Sequence, residues 1–336
     1  MSTKMRAVGI HGGTGPATAL FIDEIPKPIP SAGQALVKIR AFGVNRMDIL
    51  QRDGHYTPPP HVPQTLGLEF SGIVEEIGPG DPEGFHMGQE VFGLAYGGAY
   101  AEYITVSTKM LIRKPQELSW EEAAGIPETW FTAIQALLVI GEFRAGQSVL
   151  WHAGASSVSI CGIQLAKAAG AKAIYATVGS QEKVDFLEKE LGVTKAFNYR
   201  TDDWATEIQT LSGNAGVDLT LDFVGPSYLA RDLHAAAPDG RIILLGLMGG
   251  RQLPEGVDFH TIVYKRLRVE GSTLRGRDEE YQRQLRDKLV SHALPKFCGG
   301  TLKVYIERVF RFEEVKAAHD LLESNTTKGK IICVIN

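Results

Sequence analysis

The spacing of apolar positions changes near residue 124 and divides the chain into two parts. In the first part, short apolar runs are interrupted by Gly-Pro, Pro-Pro and Gly-Gly turns, a pattern typical of an irregular β-rich domain. The predicted strands cover residues 5–10, 34–41, 72–77, 90–94, 100–106 and 110–114. Gly12-Gly13-Thr14-Gly15 is followed by Pro16, which predicts a hairpin turn rather than a phosphate loop.

In the second part, helix-like segments alternate with short apolar runs. The predicted helices cover residues 129–140, 158–169, 182–191, 204–211 and 228–236. The predicted strands cover residues 148–151, 173–177, 196–199, 219–224, 241–245 and 267–270. Six buried runs separated by helices predict a doubly wound parallel sheet with right-handed crossovers. A charged helix is predicted over residues 279–290, before mixed segments at the C-terminus.

Composition limits the classes of function. The chain has 336 residues, of which 44% are hydrophobic and 22% charged, as expected for a soluble protein of two domains. The formal net charge of −4 offers no basic field for a nucleic-acid backbone. The longest apolar stretch, around residues 133–140, is too short to span a bilayer, and no signal peptide begins the sequence. We therefore expect neither a nucleic-acid nor a membrane partner.

Cysteine usage indicates a reducing compartment. Cys161, Cys298 and Cys333 lie far apart, and no Cys-x-x-Cys pair suggests a structural zinc site. We expect all three to be buried thiols. The predicted location is cytoplasmic.

The first strand-to-helix turn of the second part is the candidate pyrophosphate site. Such a turn directs backbone N–H groups and the positive end of a helix at phosphate. The Gly-x-Gly-x-x-Gly pattern survives here only as Gly154-x-Ser156-x-x-Ser159. The same turn resembles a hydrolase nucleophile elbow, with His152 nearby, and a purely structural turn is the third interpretation. These alternatives stay open from the turn alone.

The end of the second predicted strand bears on cofactor choice. A site for NAD places Asp or Glu there to bind the ribose hydroxyls, and this chain has Gly179 and Ser180 instead. Lys183 follows one helical turn later and could neutralise a 2′-phosphate. The predicted cofactor is NADPH.

Several segments together resemble a known family. They are NRMD at 45–48, LGLEFSG at 66–72, GGAYAEY at 97–103, AGIPETW at 124–130, FNYR at 197–200, GLMGG at 246–250 and LRGRD at 274–278. In this order they resemble the zinc-free quinone oxidoreductases of the medium-chain dehydrogenase/reductase superfamily. The later segments are most similar to its tumour-suppressor-inducible, apoptosis-associated branch. The resemblance extends over essentially the whole chain.

The resemblance implies an α/β fold with two domains and a cofactor site. A GroES-like catalytic domain would comprise residues 1–124 and 274–336, and a Rossmann domain residues 125–273, with the nicotinamide in the cleft between them. The family also implies a homodimer through edge strands near residues 268–274. The matched cofactor residues are Asn45, Tyr56, Ser157, Val158, Gly179, Ser180, Lys183, Tyr199, Gly246, Leu247, Met248, Thr273 and Leu274. Relatives usually carry glycine where Ser157 and Ser159 stand, which leaves cofactor affinity open.

The resemblance also implies that no catalytic metal is needed. Zinc-dependent relatives carry a thiolate at position 45 and an imidazole at position 68, where this chain has Asn45 and Leu68. Hydride transfer from NADPH to a quinone would then rely on hydrogen-bond donors, for which Asn45 and Tyr56 are the catalytic candidates. Glu69 is expected to pair with a base such as Arg46.

Two other functions remain as alternatives. An enoyl or alkenal reductase would use the same scaffold on α,β-unsaturated carbonyl compounds. A non-enzymatic role, as a crystallin-like or RNA-binding protein, is known among relatives, although the acidic charge balance disfavours RNA.

Overall fold

A computed structural model describes residues 3–58 and 62–336 of the chain. It divides into two compact units, the first comprising Met1–Phe131 with Arg277–Asn336 and the second Thr132–Gly276. The assignment of catalytic and cofactor-binding roles to the segments predicted above stays a prediction.

The first unit is built mainly of antiparallel strands. Up to residue 134 its elements are β1 (Lys4–Ile10), β2 (Leu20–Pro26), β3 (Gln34–Val44), α1 (Arg46–Arg52), β4 (Glu69–Ile77), β5 (Glu90–Leu94), β6 (Tyr103–Ser107), β7 (Leu111–Arg113), α2 (Trp120–Ala124) and α3 (Pro127–Ile134), of which α3 crosses the unit boundary. β1 and β2 pair in antiparallel fashion around Gly12–Gly15, which confirms the predicted hairpin turn.

The second unit alternates strands and helices as predicted. Its elements are β8 (Ser148–Trp151), α4 (Ser157–Ala168), β9 (Ala173–Val178), α5 (Gln181–Phe186), β10 (Lys195–Asn198), α6 (Trp204–Leu211), β11 (Val217–Asp222), α7 (Pro226–Ala235), β12 (Ala236–Leu244), α8 (His260–Lys265) and β13 (Arg268–Gly271). After it the chain continues in the first unit with α9 (Glu279–His292), α10 (Leu294–Cys298), β14 (Ile306–Arg311), α11 (Val315–Glu323) and β15 (Lys330–Val334).

The sheet of the second unit has the strand order β10-β9-β8-β11-β12-β13, and every pairing in it is parallel. β8, the first strand in sequence, lies between β9 and β11, so the order reverses there and forms the switch point at which doubly wound folds bind ligands. Helix α4 packs closely on this strand, because a Cβ at Gly162 would overlap the ring of Trp151. The doubly wound prediction is confirmed.

The larger sheet of the first unit brings three chain segments together. Its order is β14-β15-β3-β4-β5-β7, with β6 pairing to β3. Val44, at the end of β3, pairs with Ile331 on β15, and Phe42 pairs with Phe70 on β4. The register therefore places the residues after Val44, before Phe70 and before Ile331 at one place in the sheet.

One expectation from the sequence was wrong, and two predicted helices were confirmed with a different helix type at their ends. The predicted helices 129–140 and 182–191 end as π-helical segments, Gln135–Ile140 and Leu187–Leu191. Cys161 and Cys333 are buried as expected, whereas Cys298 is exposed, because it ends the short helix α10. In the part of the chain described, no helix has the length and apolarity needed to cross a membrane.

Candidate functional site

The predicted cofactor residues of the second unit follow the carboxyl ends of its strands. Ser157 and Val158 follow β8, Gly179 and Ser180 follow β9, and Tyr199 follows β10. Gly246, Leu247 and Met248 follow β12, and Thr273 and Leu274 follow β13. Since all these strands are parallel, their carboxyl ends lie along one edge of the sheet, where doubly wound folds bind nucleotides.

The candidate pyrophosphate turn is closed by serine hydroxyls. Ser156 is the N-cap of α4, and its Oγ accepts the N–H of Ser159 at 3.3 Å. The buried Ser159 hydroxyl donates to the carbonyl oxygen of His152 at 2.9 Å. Neither Ser157 nor Ser159 has a positive φ, so their backbone conformation does not require glycine. Gly154 is required for packing, because a Cβ there would lie 2.8 Å from the Ala176 side chain.

The imidazole of His152 supports this turn from inside the unit. Its Nδ1 lies 2.8 Å from Thr177 Oγ1, and its Nε2 lies 2.7 Å from Asp232 Oδ1. Both ring nitrogens are thus engaged away from the serines, and the Ser156 hydroxyl donates to Ser159 Oγ at 3.0 Å. This arrangement contradicts the hydrolase interpretation, which needs a histidine bonded to the nucleophile.

His152, Asp222 and Asp232 form a buried polar cluster whose ligand atoms lie within 4.8 Å of one another. The Asp222 oxygens accept the N–H groups of Val224 and Gly225 at 2.6 and 2.8 Å. Burial, together with the negative charge of Asp232, raises the pKa of Asp222 to about 6. Both ring nitrogens of His152 and both carboxylate oxygens of Asp222 already have hydrogen-bond partners within the unit, so we interpret the cluster as structural.

The end of β9 carries the residues that the sequence assigns to a 2′-phosphate, and that assignment stays a prediction. Ser180 caps α5 and accepts the backbone N–H of Lys183 at 3.4 Å. Gly179 lies against Tyr199, since a Cβ on Gly179 would be 2.8 Å from the tyrosine hydroxyl oxygen. The structure therefore brings Tyr199, which lies 20 residues after Gly179 in the sequence, against the segment that contains Gly179, Ser180 and Lys183.

Arg200 is a candidate that the sequence interpretation missed. It is exposed beside Tyr199, with its guanidinium carbon 5.5 Å from the centre of the tyrosine ring. An arginine can bind phosphate through two parallel hydrogen bonds. The signal was present in the segment FNYR at 197–200, where only the tyrosine was assigned a role.

The loop after β12 is fixed by the segment after β11. Met248 N–H donates to the carbonyl oxygen of Phe223 at 3.0 Å, and Gly249 N–H to that of Val224 at 2.8 Å. Leu247 and Met248 keep exposed side chains. Beyond β13, the Thr273 carbonyl oxygen accepts the Gln135 side-chain amide at 3.3 Å, and Leu274 is buried. The predicted residues are thus held mainly by their backbone.

In the first unit, Asn45 belongs to a buried cluster with Glu69 and Lys330. The exposed fractions of these residues are 8%, 0% and 2%. Asn45 Oδ1 accepts from Lys330 Nζ at 2.7 Å, and Asn45 Nδ2 donates to Glu69 Oε1 at 2.9 Å. Lys330 also forms an ion pair with Glu69, whose second oxygen accepts the N–H of Glu128 at 2.8 Å. Lys330 was not among the predicted site residues.

The expected pairing of Glu69 with Arg46 was wrong. Arg46 instead donates to the Leu322 carbonyl oxygen at 3.0 Å and to Asn325 Oδ1 at 2.6 Å. Burial lowers the pKa of Arg46, although Glu323 counteracts the effect. Arg46 and the residues it binds belong to α1, α11 and the loop after α11, a pairing that no local pattern could indicate.

Helix α1 lies between the two predicted catalytic residues. Asn45 precedes the helix, and its backbone N–H donates to Asp48 Oδ2 at 2.8 Å. Tyr56 follows the helix, is half-buried, and donates its backbone N–H to the Leu50 carbonyl oxygen at 3.1 Å. Asp48 Oδ1 accepts the Gly67 N–H at 3.0 Å, which ties α1 to the segment before Glu69.

Comparison with known proteins agrees with this geometry. The model for the alcohol dehydrogenase GroES-like domain matches residues 31–116, and that for zinc-binding dehydrogenase matches residues 157–291. A quinone oxidoreductase of Lama guanicoe is 29% identical over 333 residues, covering 98% of both chains. A solved NAD-dependent alcohol dehydrogenase gives a TM-score of 0.85 at 30% identity, covering 99% of this chain and 100% of that one. The solved structure of CurK enoyl reductase gives a TM-score of 0.86 at 26% identity, covering 99% of this chain and 100% of that one.

These matches extend over both units and agree with the two sheets described above. The GroES-like model falls on the antiparallel strands of the first unit, and the dehydrogenase model begins at α4, the helix after the candidate pyrophosphate turn. The chain therefore has an oxidoreductase scaffold with a nicotinamide-cofactor domain, and it belongs to the medium-chain dehydrogenase/reductase superfamily.

Proposed function

We propose that this protein reduces quinones with NADPH and without zinc. The observation that carries the cofactor choice is the end of β9, where Gly179 and Ser180 stand in place of a carboxylate. Lys183 and Arg200 supply positive charge there, and Tyr199 supplies a hydroxyl. A 2′-phosphate carries negative charge that these groups would neutralise, whereas a free ribose would gain little from them.

The residues of the second unit fit a bound dinucleotide. The first N–H groups of α4, at Ser157 and Val158, have no carbonyl partner within the helix and suit a pyrophosphate. We assign the loop Gly246–Leu247–Met248 to the nicotinamide ribose, and Thr273 and Leu274 to the neighbourhood of the ring. The hydrogen bonds that hold both segments by their backbone support this assignment.

Bound NADPH would supply a hydride from nicotinamide C4. The protein's own contribution is to orient the acceptor and to meet the negative charge that grows on its oxygen. We assign this role to the Tyr56 hydroxyl and the Asn45 amide. Quinones accept hydride readily, so well-placed donors can be sufficient and no Lewis acid is required of the protein.

Reduction of conjugated carbonyl compounds is the second candidate function. Structural similarity to CurK enoyl reductase supports it. A panel of 1,2- and 1,4-quinones, α,β-unsaturated aldehydes and unsaturated thioesters, assayed by NADPH oxidation, tests the choice. We expect quinones to have the highest kcat/KM, and faster reduction of a thioester or aldehyde would select the alternative. If the chain reduces none of these compounds, a non-enzymatic role is the better interpretation.

We further propose a cytoplasmic homodimer. The free cysteines, two of them buried, support the location. Strand β13 is an edge strand, and the neighbouring helix α8 exposes Val263 and Tyr264 by 75% and 74%. Pairing of two β13 strands would satisfy the open edge and cover apolar surface. Light scattering coupled to gel filtration tests this, with a mass of one chain, 36.6 kDa, as the contradicting result.

A further inference from the structure

Asn45, Glu69 and Lys330 carry one positive and one negative charge inside the first unit. All three side chains are buried, and each bonds to the other two. Burying an unpaired charge is very unfavourable, so such groups persist only when they are paired and hydrogen-bonded. Here the cluster is electrically balanced and internally bonded.

The fold is shaped to hold this cluster. Gly43 lies directly against Glu69, since a Cβ at that position would collide with the carboxylate. On β15, Lys330 precedes the residue that pairs with Val44, and its Nζ lies 3.5 Å from the Val44 carbonyl oxygen. Contacts from β3, β4 and Asn45 thus converge on the ammonium group that β15 carries.

This arrangement does not fit the zinc ion that the dehydrogenase scaffold implies. A catalytic zinc site needs three protein ligands and an open position, and an asparagine with a buried leucine at 68 does not provide them. The oxygens nearest to position 45 already bind the Lys330 ammonium. A divalent cation among the same oxygens would meet a positive charge at a few ångströms.

The cluster also fixes which way the Asn45 amide points. An ammonium group can only donate hydrogen bonds, and a carboxylate can only accept them. The amide oxygen therefore faces Lys330 and the amide nitrogen faces Glu69, and a flipped amide would set donor against donor. The second Nδ2 hydrogen has only a long contact, 3.5 Å, with the Gly43 carbonyl oxygen among the bonds described.

We infer that Lys330 and Glu69 are positioning residues that together take the place of a metal centre. They hold Asn45 in a single amide orientation, and Lys330 keeps a divalent cation out of this position. The effect on turnover rests on the proposed function, whereas the exclusion of metal does not. One experiment therefore tests the exclusion of metal, and a second tests the effect on turnover.

The first experiment measures metal binding without any reaction. Asn45→Cys/Leu68→His restores a thiolate and an imidazole beside Glu69. A second protein adds Lys330→Met, which removes the ammonium group and also frees the Glu69 carboxylate from its ion pair, so that it can bind the added metal. Titration with Co²⁺ is followed by the thiolate charge-transfer absorption. We expect the variant lacking the ammonium to bind at least about tenfold more tightly, as loss of one like-charge contact predicts. Equal affinity in the two proteins, or no binding by either, would overturn the exclusion of metal by Lys330.

The second experiment measures positioning through turnover. Lys330→Met alone would leave the Glu69 carboxylate unpaired, so the test uses the neutral pair Glu69→Gln/Lys330→Met, which keeps the side-chain sizes. Lys316→Met, on the exposed face of α11, is the control. We expect kcat of the neutral pair to fall by about tenfold while KM changes less than about threefold. The reason is that a misoriented Asn45 amide would lose its hydrogen bond to the acceptor oxygen, and this bond acts in the transition state. The control should keep both values.

The melting temperature of each variant distinguishes positioning from loss of folding. We expect the neutral pair to melt within a few degrees of the unaltered protein, because no charge is left unpaired. A kcat within twofold of the unaltered protein would show that the cluster serves stability alone. If the unaltered protein shows no quinone turnover, the proposed function fails, and the Co²⁺ titration still decides the role of Lys330.

Discussion

Arg52 Nη1 lies 3.1 Å from His319 Nδ1 in the first unit. Because a guanidinium group only donates, Nδ1 must accept, and the imidazole carries its proton on Nε2. Nε2 then donates to the Tyr100 hydroxyl oxygen at 3.1 Å, and that hydroxyl donates to Asp48 Oδ2 at 3.2 Å. A directed chain of hydrogen bonds thus joins α11 to α1, the helix that follows Asn45.

Stability should depend on pH through His319. Burial, and then the positive charge of Arg52, lower the pKa of His319 to about 3. Below the unfolded pKa of about 6.5, only the unfolded chain binds this proton, so stability is lost as the pH falls. From pH 7 to pH 5 we expect this group to reduce the free energy of unfolding by about 2 kcal/mol.

Urea unfolding at several pH values, with His319→Asn as the comparison, checks this prediction. The substitution removes the titrating group, so the difference between the two proteins isolates its contribution. Between pH 7 and pH 5, the free energy of unfolding of the variant should therefore fall by about 2 kcal/mol less than that of the unaltered protein. Parallel curves for the two proteins would mean that folding does not lower the pKa of His319, and would contradict the prediction.

Ser180→Asp should exchange the cofactor preference without harming the fold. Aspartate is as good an N-cap as serine, so α5 should remain capped. Its carboxylate would repel a 2′-phosphate and bind ribose hydroxyls instead. We expect kcat/KM to fall at least about tenfold with NADPH and to rise with NADH. Ser180→Asn, a neutral cap, is the control and should show a much smaller change.

Lys183 and Arg200 should contribute to affinity for NADPH only. Removing either cation takes away one charge-assisted contact, so we expect the KM for NADPH to rise about tenfold for Lys183→Ala or Arg200→Ala. The KM for NADH should hardly change. Lys189→Ala alters a lysine that pairs with Asp185 and serves as the control. Equal effects on both nucleotides would exclude a 2′-phosphate contact.

Tyr56→Phe should lower turnover modestly. If the hydroxyl donates one hydrogen bond to the growing oxyanion, its loss should reduce kcat by about tenfold. Single-turnover rates at saturating NADPH measure this step directly. An unchanged rate would remove the hydroxyl from the mechanism and leave the ring as a packing surface.

Ser159→Gly should destabilise the protein without improving cofactor binding. The buried hydroxyl bonds to the His152 carbonyl oxygen, and Ser159 does not have a positive φ. Restoring the glycine of the family pattern should therefore cost about 1–2 kcal/mol in unfolding free energy. Ser157→Gly is the matched control, with an expected loss below about 1 kcal/mol. Tighter NADPH binding by Ser159→Gly would contradict this view.

Local sequence patterns predicted the second unit well. Helix 204–211 and strand 148–151 were predicted at their observed bounds, because buried runs bounded by turns carry a strong periodic signal. Edge strand β14 was missed, since its burial does not alternate. The π-helical ends of α3 and α5 were also missed, because the apolar pattern continues through them.

The long-range contacts of the site could not be read from the sequence. Lys330 lies 285 residues from Asn45 in the chain, and only the pairing of β15 with β3 brings them together. For the same reason Glu69 was paired with Arg46, which lies much nearer to it in the sequence than Lys330 does. Arg200 could have been found, because it directly follows a residue already assigned to the phosphate.

The most direct test of the account is the ratio of kcat/KM for NADPH to that for NADH, measured with one 1,4-quinone in the presence of a chelator. We predict that quinone reduction persists in the presence of the chelator. The ratio should be at least about ten, because NADH lacks the 2′-phosphate and therefore its contact with the protein. A ratio at or below one, or activity that disappears with the chelator and returns with Zn²⁺, would contradict the account.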